Sequence, residues 1–118
     1  MGGSRVLVIG GGGREHSLCV GLRQSPQVKE LYCSPGNAGT GIIATNIELN
    51  LADNSVVTDF CRLNSIDLVV VGPEAPLCDG LADVLQEHNI PCFGPIAALA
   101  RLEGSKLFAK QIMRKVGI

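Results

Sequence analysis

Short aliphatic runs alternate with helix-like segments along the chain. Residues 5–9 and 67–72 are nearly continuous runs of Val, Leu and Ile, the pattern of strands that are buried on both faces. Residues 15–24 place Leu18, Cys19 and Leu22 at helical spacing and predict a helix after the first strand. Because parallel strands need a crossover between them, this alternation predicts a parallel sheet.

The later segments continue the alternation. The patterns predict further strands at 28–33, around 47–49 and at 90–95. They also predict a helix from a cap at Asp53 or Asn54 to about Asn64, a helix over 81–87, a helical turn over 97–102 and a last helix after Gly104 and Ser105. The expected inner face of the helix ending near Asn64 consists of Val56, Val57, Phe60 and Leu63. The predicted fold is therefore α/β, with a Rossmann-like parallel sheet and helices on both faces.

Composition narrows the class of protein. Of the 118 residues, 46% are hydrophobic but only 3% are aromatic, so the core must be aliphatic. A net charge of −1 argues against a nucleic-acid binder, and no apolar stretch approaches the roughly 20 residues that cross a bilayer. The five cysteines form no CxxC pair, and with two histidines they complete no zinc pattern. We expect mostly buried, reduced thiols.

Three unusual loops follow predicted strands, at residues 10–16, 34–40 and 72–77. In open parallel sheets, ligands bind beyond the carboxyl ends of the strands, where the strand order reverses. Because all three loops leave such ends, we expect them to converge on one edge of the sheet. This edge is the predicted site.

The first loop has four consecutive glycines between a strand and a helix. Glycines allow backbone amides to approach an anion, and the helix presents its positive end, so the loop favours a phosphate over a turn needed only for tight packing. The dinucleotide fingerprint fails, since its third glycine is replaced by Glu15 or His16 and the second strand ends without a carboxylate. The lysine of a P-loop is also missing.

Several side chains near these loops are open to two interpretations. Glu15 is expected to stabilise the first turn of its helix, and His16 either packs locally or helps to hold the phosphate. Glu74, held between Pro73 and Pro76, either binds ribose hydroxyls or a substrate amine, or is a solvated loop residue. On composition alone, the loop around Asn37 is an ordinary turn.

The motifs, taken in order, resemble the phosphoribosylamine–glycine ligases, also called glycinamide ribonucleotide synthetases. The resemblance spans nearly the whole chain and is carried by five blocks: RVLVIGGGGREH at 5–16, SPGNAG at 34–39, DLVVVGPEAPL at 67–77, FGP at 93–95 and LEGSKLFAK at 102–110. It implies a Rossmann-like, pre-ATP-grasp domain of a cytoplasmic ATP-grasp enzyme of purine biosynthesis. Such an enzyme joins glycine to 5-phosphoribosylamine through a glycyl phosphate.

The resemblance also implies roles for individual residues. It assigns Lys106 to the ATP phosphates and places no catalytic or metal-binding residue in this chain, since ATP and Mg²⁺ are bound mainly by residues beyond it. Asp79 departs from the small residue expected there and is tolerable at a helix start. The substrate-binding residues implied are Gly12, Gly13, Arg14, Glu15, His16, Asn37, Gly39, Gly72, Pro73, Glu74 and Pro76.

The resemblance divides the chain into a ribose-phosphate-binding domain at 1–102 and the first helix of an ATP-grasp domain at 103–118. We expect the chain to fold and to bind ribose phosphate weakly without ligase activity. The expected partners are 5-phosphoribosylamine, glycine and ATP, and fusion to later purine-pathway domains stays open. A stand-alone ribose-phosphate-binding module is the main alternative, and an NAD-dependent oxidoreductase and a nucleic-acid adaptor are more distant ones.

Overall fold

The chain folds around a five-stranded parallel sheet. The structure, a computed structural model, describes residues 4–72 and 81–93. The strands are β1 (Ser4–Gly10), β2 (Val28–Pro35), β3 (Thr45–Asn46), β4 (Leu68–Val71) and β5 (Cys92–Phe93), and the helices are α1 (Gly13–Arg23), α2 (Thr40–Ile43), α3 (Asn54–Leu63) and α4 (Leu81–Glu87). The sheet order is β3-β2-β1-β4-β5, with every neighbouring pair parallel.

Helices cover both faces of this sheet. Alternate residues of β1 point to opposite faces, so Val6 and Val8 pack with α1 while Leu7 and Ile9 pack with α3 and α4. The four β1 side chains are all buried, which is why the segment reads as one continuous aliphatic run. The predicted Rossmann-like α/β fold with helices on both faces is confirmed.

Most predicted elements are found within two residues of their expected bounds. The third strand is an exception, because β3 is Thr45–Asn46 and the chain then leaves the sheet. Ile47 still donates its amide to the Cys33 carbonyl at 2.9 Å, but it lies outside β3, as does Leu49. Both side chains are partly buried against the core on the α3 and α4 side, which accounts for their alternating pattern. The short helix α2 was not predicted from its turn-rich surroundings.

The inner face predicted for α3 is partly wrong. Val57 and Cys61 are buried, but Leu63 is 84% exposed. Leu63 follows Cys61 by two residues, which places it roughly 200° around the helix from that buried side chain. The strand predicted at 90–95 is seen at β5, and its last two residues lie outside the described ranges, as do the predicted turn at 97–102 and the last helix.

Two further observations concern the described residues. None of their helices is long and apolar enough to cross a membrane.

The described cysteines are free thiols, as expected for reduced structural residues. Cys19, Cys33 and Cys61 are buried and Cys92 is half-buried. Cys78 lies outside the described ranges.

The contribution of a buried helix position to stability can be compared with that of an exposed one by the same substitution, leucine to alanine. Leu85→Ala empties a fully buried position on α4 and should lower the free energy of unfolding by about 2–5 kcal/mol in urea denaturation. Leu63→Ala, at an exposed position on α3, is the matched control and should change it by less than about 0.5 kcal/mol. If both variants lose the same free energy of unfolding, the assignment of Leu85 to the buried face of α4 and of Leu63 to the exposed face of α3 is wrong.

Candidate functional site

The predicted site lies where the strand order reverses. The chain passes from β1 to β2 on one side of the sheet and later returns to place β4 on the other side of β1. A crevice therefore forms at the carboxyl ends of β1 and β4, the position where open α/β sheets bind ligands. Gly10 ends β1, Pro35 ends β2 beside it, and Gly72 directly follows β4.

The side chain of Glu15 occupies this crevice. Glu15 lies in the first turn of α1, yet it is 0% exposed. Its Oε1 accepts a hydrogen bond of 2.6 Å from the amide of Gly12, the residue that caps the helix. A Cβ on Gly10 would collide with Glu15 Cγ, and a Cβ on Gly72 would collide with Glu15 Oε2. The carboxylate therefore fits only because the residues at both adjoining strand ends, Gly10 and Gly72, have no side chain.

Asn37 joins the second loop to the glycine turn. Its Nδ2 donates to the carbonyl oxygen of Gly11 at 2.9 Å and to that of Gly12 at 3.2 Å. The amide of Gly36 donates to the carbonyl of Gly10 at 3.1 Å, so the two loops are linked by both backbone and side chain. The predicted convergence of the first two loops is confirmed.

These bonds determine which amides of the glycine turn face outward. In a trans peptide the C=O and N–H point in opposite directions. The Gly12 carbonyl accepts from Asn37 and from the amide of His16, so the Gly13 amide of that peptide points away from both. The Gly12 amide, in contrast, is already bonded to Glu15. The turn thus offers the Gly13 amide, and then that of Arg14, at the positive end of α1.

The rim of this turn carries groups suited to an anion. Arg14 and Gly13 are exposed, and His16 and Gly39 are half-buried. The His16 ring lies so close to Gly39 that a Cβ there would approach Cε1 to 2.9 Å. The start of α1 therefore carries an exposed arginine next to its terminal amides, and the His16 imidazole lies beside Gly39 in the adjoining loop. Groups of these kinds are the ones that bind phosphate in proteins.

A hydrogen-bond network behind Asn37, centred on the buried Thr40, was missed by the sequence reasoning. Asn37 N donates to Thr40 Oγ1 at 2.7 Å and Thr40 N donates to Asn37 Oδ1 at 2.9 Å. Asn46 at the end of β3 adds a bond from its Nδ2 to the Asn37 carbonyl at 2.7 Å, and its Oδ1 accepts from Thr40 Oγ1 at 2.7 Å. The reciprocal bonds three residues apart resemble a capping box, so Asn-x-x-Thr was the available signal.

Two buried thiols lie beneath the glycine turn. Cys33 Sγ donates to the carbonyl oxygen of Gly10 at 3.3 Å. A hydrogen bond with Cys33, together with burial, raises the pKa of the Cys19 thiol. The same hydrogen bond lowers the pKa of the Cys33 thiol. A protonated buried thiol such as Cys19 is a poor nucleophile.

A groove of about 340 Å³ lies elsewhere, at the amino half of β2. None of the residues that line it belongs to the glycine turn or to the Asn37 loop. Its lining consists of Arg23, Lys29, Glu30, Leu31, Tyr32, Ile42, Ile43, Ala44 and Thr45.

The structure brings eight of the predicted substrate-binding residues to one edge. Within residues 4–72 and 81–93, no cluster of His, Cys, Asp and Glu could hold a metal ion. The predicted residues Pro73, Glu74, Pro76 and Lys106 lie outside the described ranges. Those gathered at the edge are Gly12, Gly13, Arg14, Glu15, His16, Asn37, Gly39 and Gly72.

The Asn37 network can be tested by removing one hydroxyl. Thr40→Val keeps the shape of the buried Thr40 but leaves Asn37 N and Asn46 Oδ1 without that partner. We expect the free energy of unfolding to fall by about 1–3 kcal/mol in chemical denaturation. Thr45→Val, at an exposed position in the same segment, is the control and should have little effect. If the two variants lose equal stability, the hydroxyl does not hold the loop.

Comparison with known proteins agrees with this geometry. Residues 4–103 match the family model described as phosphoribosylglycinamide synthetase, N domain. Phosphoribosylamine–glycine ligase of Rhizobium meliloti is 52% identical over 97% of this chain and 27% of its own length, and that of Rhodopirellula baltica is 48% identical over 96% and 26%. The human trifunctional purine biosynthetic protein adenosine-3 is 46% identical over 98% of this chain and 12% of its own.

The chain thus spans about a quarter of the length of the ligases that it matches. The family model covers the glycine turn, the Asn37 loop and the end of β4, which are the parts that form the candidate site. On the extent of that match, the chain belongs to the family of phosphoribosylglycinamide synthetase N-terminal domains.

Proposed function

We propose that this chain is the substrate-binding front part of an ATP-dependent ligase that joins glycine to 5-phosphoribosylamine. The product is glycinamide ribonucleotide, formed through a glycyl phosphate in cytoplasmic de novo purine biosynthesis. The observation that carries the proposal is the outward-facing Gly13 amide at the start of α1, held by Asn37 and flanked by the exposed Arg14. Membership of the family supports it.

In this proposal the 5′-phosphate lies against the Gly13 and Arg14 amides. The Arg14 guanidinium supplies charge-assisted hydrogen bonds to phosphate oxygens, and His16 lines the same position beside Gly39. Asn37 and Thr40 keep the turn in shape before the ligand arrives, which lowers the entropy lost on binding. The ribose would extend towards Gly72, with Pro73, Glu74 and Pro76 as its further contacts.

The chemical step belongs to the whole enzyme. ATP phosphorylates the glycine carboxylate, and the amine of phosphoribosylamine attacks the resulting acyl phosphate and displaces inorganic phosphate. We assign residues 1–102 to substrate binding and 103–118 to the start of the ATP-grasp domain, with Lys106 directed to the ATP phosphates. ATP and Mg²⁺ would be held mainly by residues beyond position 118. The same ligase segment occurs in trifunctional relatives, so fusion to later purine-pathway domains is compatible with the proposal.

The ribose-phosphate site is tested by titrating the chain with glycinamide ribonucleotide while amide NMR shifts are recorded. We expect shifts at Gly13, Arg14, His16, Asn37 and Gly39, and none with NAD. Arg14→Ala should raise the Kd about tenfold, because it removes a charged partner of the phosphate. Arg23→Ala, an exposed arginine at the other end of α1, is the matched control and should leave the Kd unchanged. Shifts with NAD alone would overturn the proposal in favour of an oxidoreductase.

The ligase activity requires a longer protein for its test. A hybrid in which residues 1–118 replace the corresponding segment of the Rhizobium meliloti ligase should form ADP only when phosphoribosylamine, glycine and ATP are all present. Arg14→Ala in this hybrid should raise the KM for phosphoribosylamine more than it lowers kcat, since the contact is with a part of the substrate that does not react. A hybrid that binds the ribonucleotide but forms no ADP would favour a binding module over a ligase.

A further inference from the structure

We propose that Glu15 is a specificity-determining residue that excludes a second phosphate from the site. Its side chain fills the crevice between β1 and β4, directly beside the start of α1, the helix end at which dinucleotide-binding sheets hold a pyrophosphate. The site would therefore accept a ribose with a single terminal phosphate and reject pyrophosphate-linked nucleotides. This inference rests on the proposed function and deepens it, since it assigns to Glu15 the choice between two classes of ribose phosphate.

The space available at the switch point carries the first part of the argument. Glu15 Cγ lies against Gly10 and Glu15 Oε2 lies against Gly72, so one side chain bridges the ends of both strands. The side chain has no exposed surface, which leaves no room for a ligand group between it and the two glycines. A phosphate placed there would have to displace the carboxylate.

The hydrogen bonding of the turn carries the second part. A pyrophosphate at a Rossmann turn draws on several successive amides of the turn and the helix start. Here the Gly12 amide already donates to Glu15 Oε1 at 2.6 Å. The amides left at the start of α1 are those on the outer side of the turn, beside Arg14. One phosphate can use them, but a second phosphate on the crevice side finds no free Gly12 donor.

The competing explanation is that Glu15 only caps helix α1 and has no effect on which ligands bind. Glu15 does stabilise the first turn, and its loss would lower stability in either case. The two explanations differ in how ligands are affected: loss of a cap weakens every ligand of the turn alike, whereas an opened crevice changes the preference between ligands. The ratio of two affinities therefore separates them.

The experiment measures, by amide NMR or calorimetry, the Kd of the 118-residue chain for ribose 5-phosphate and for ADP-ribose, which carries the same sugar phosphate within a pyrophosphate. We expect ribose 5-phosphate to bind at least about tenfold more tightly. Glu15→Ala should lower this preference about tenfold or more. Glu15→Gln keeps the volume and the acceptor for Gly12 N, so it should keep the preference of the original chain. Leu22→Ala, a buried change at the far end of α1, controls for loss of stability.

The outcomes are distinct. A reduced preference in Glu15→Ala, with Glu15→Gln and Leu22→Ala unchanged, supports the inference. An equal weakening of both ligands by Glu15→Ala overturns it and leaves the ribose-phosphate site intact. Equal affinities for both ligands in the original chain also overturn it. Binding of neither ligand by the original chain overturns the proposed function and this inference together.

A second measurement covers the case in which Glu15→Ala fails to fold. Glu15→Asp shortens the side chain by one methylene and withdraws it from Gly72, so it should reduce the preference while retaining a carboxylate. In addition, Gly72→Ala should lower the free energy of unfolding more in the original chain than in the Glu15→Asp chain, because its Cβ meets Glu15 Oε2. Gly41→Ala is the control, since its Cβ approaches Asn46 and not Glu15, so its effect on stability should be the same in both backgrounds. A preference unchanged in Glu15→Asp, with equal effects of Gly72→Ala in both chains, would contradict the inference.

Discussion

The carboxylate of Glu15 joins three parts of the chain that are far apart in sequence. It lies in the first turn of α1, receives the amide of Gly12 and touches the bare ends of β1 and β4. A carboxylate without any exposed surface is costly to bury unless its oxygens are bonded, and Oε1 is bonded within the turn itself. The shape of the glycine turn, the approach of α1 to the sheet and the closed crevice all depend on this contact.

Asn37 complements Glu15 from the opposite side of the turn. Glu15 accepts a hydrogen bond from the Gly12 amide, and Asn37 donates to the carbonyls of Gly11 and Gly12, so the peptides around Gly12 are held from both directions. Thr40 and Asn46 in turn hold Asn37, and the fully buried Thr40 anchors this second loop. If the turn binds phosphate as proposed, it is preorganised for it: the peptides around Gly12 are fixed before any ligand arrives, so little conformational entropy is lost on binding.

This arrangement relates the fold to the proposed chemistry. A doubly wound sheet provides a crevice at its switch point, but the fold alone does not determine what binds there. Filling the crevice with a side chain of the protein leaves one helix end and one arginine for the ligand. A small ribose phosphate is the ligand that we propose for that surface, and membership of the family supports the proposal.

Local patterns determined the elements and the class of fold. Aliphatic runs such as Val6–Ile9 and Leu68–Val71 are typical of strands that are buried between two layers of helices. The glycine run between β1 and α1 predicts a phosphate-binding turn. Helix α4 was predicted with the bounds that it has, because its apolar residues repeat at helical spacing. The family could likewise be recognised from the motifs and their order alone.

Only the tertiary structure decided how the site is built. Glu15 and Gly72 meet because β4 returns beside β1, and Asn46 reaches Asn37 from β3, which pairs with β2; neither contact is visible in a local pattern. The partial burial of Ile47 and Leu49 outside any strand has the same origin. Periodicity reports which residues are apolar, whereas the packing of distant segments determines which of them are covered and which polar groups are brought together.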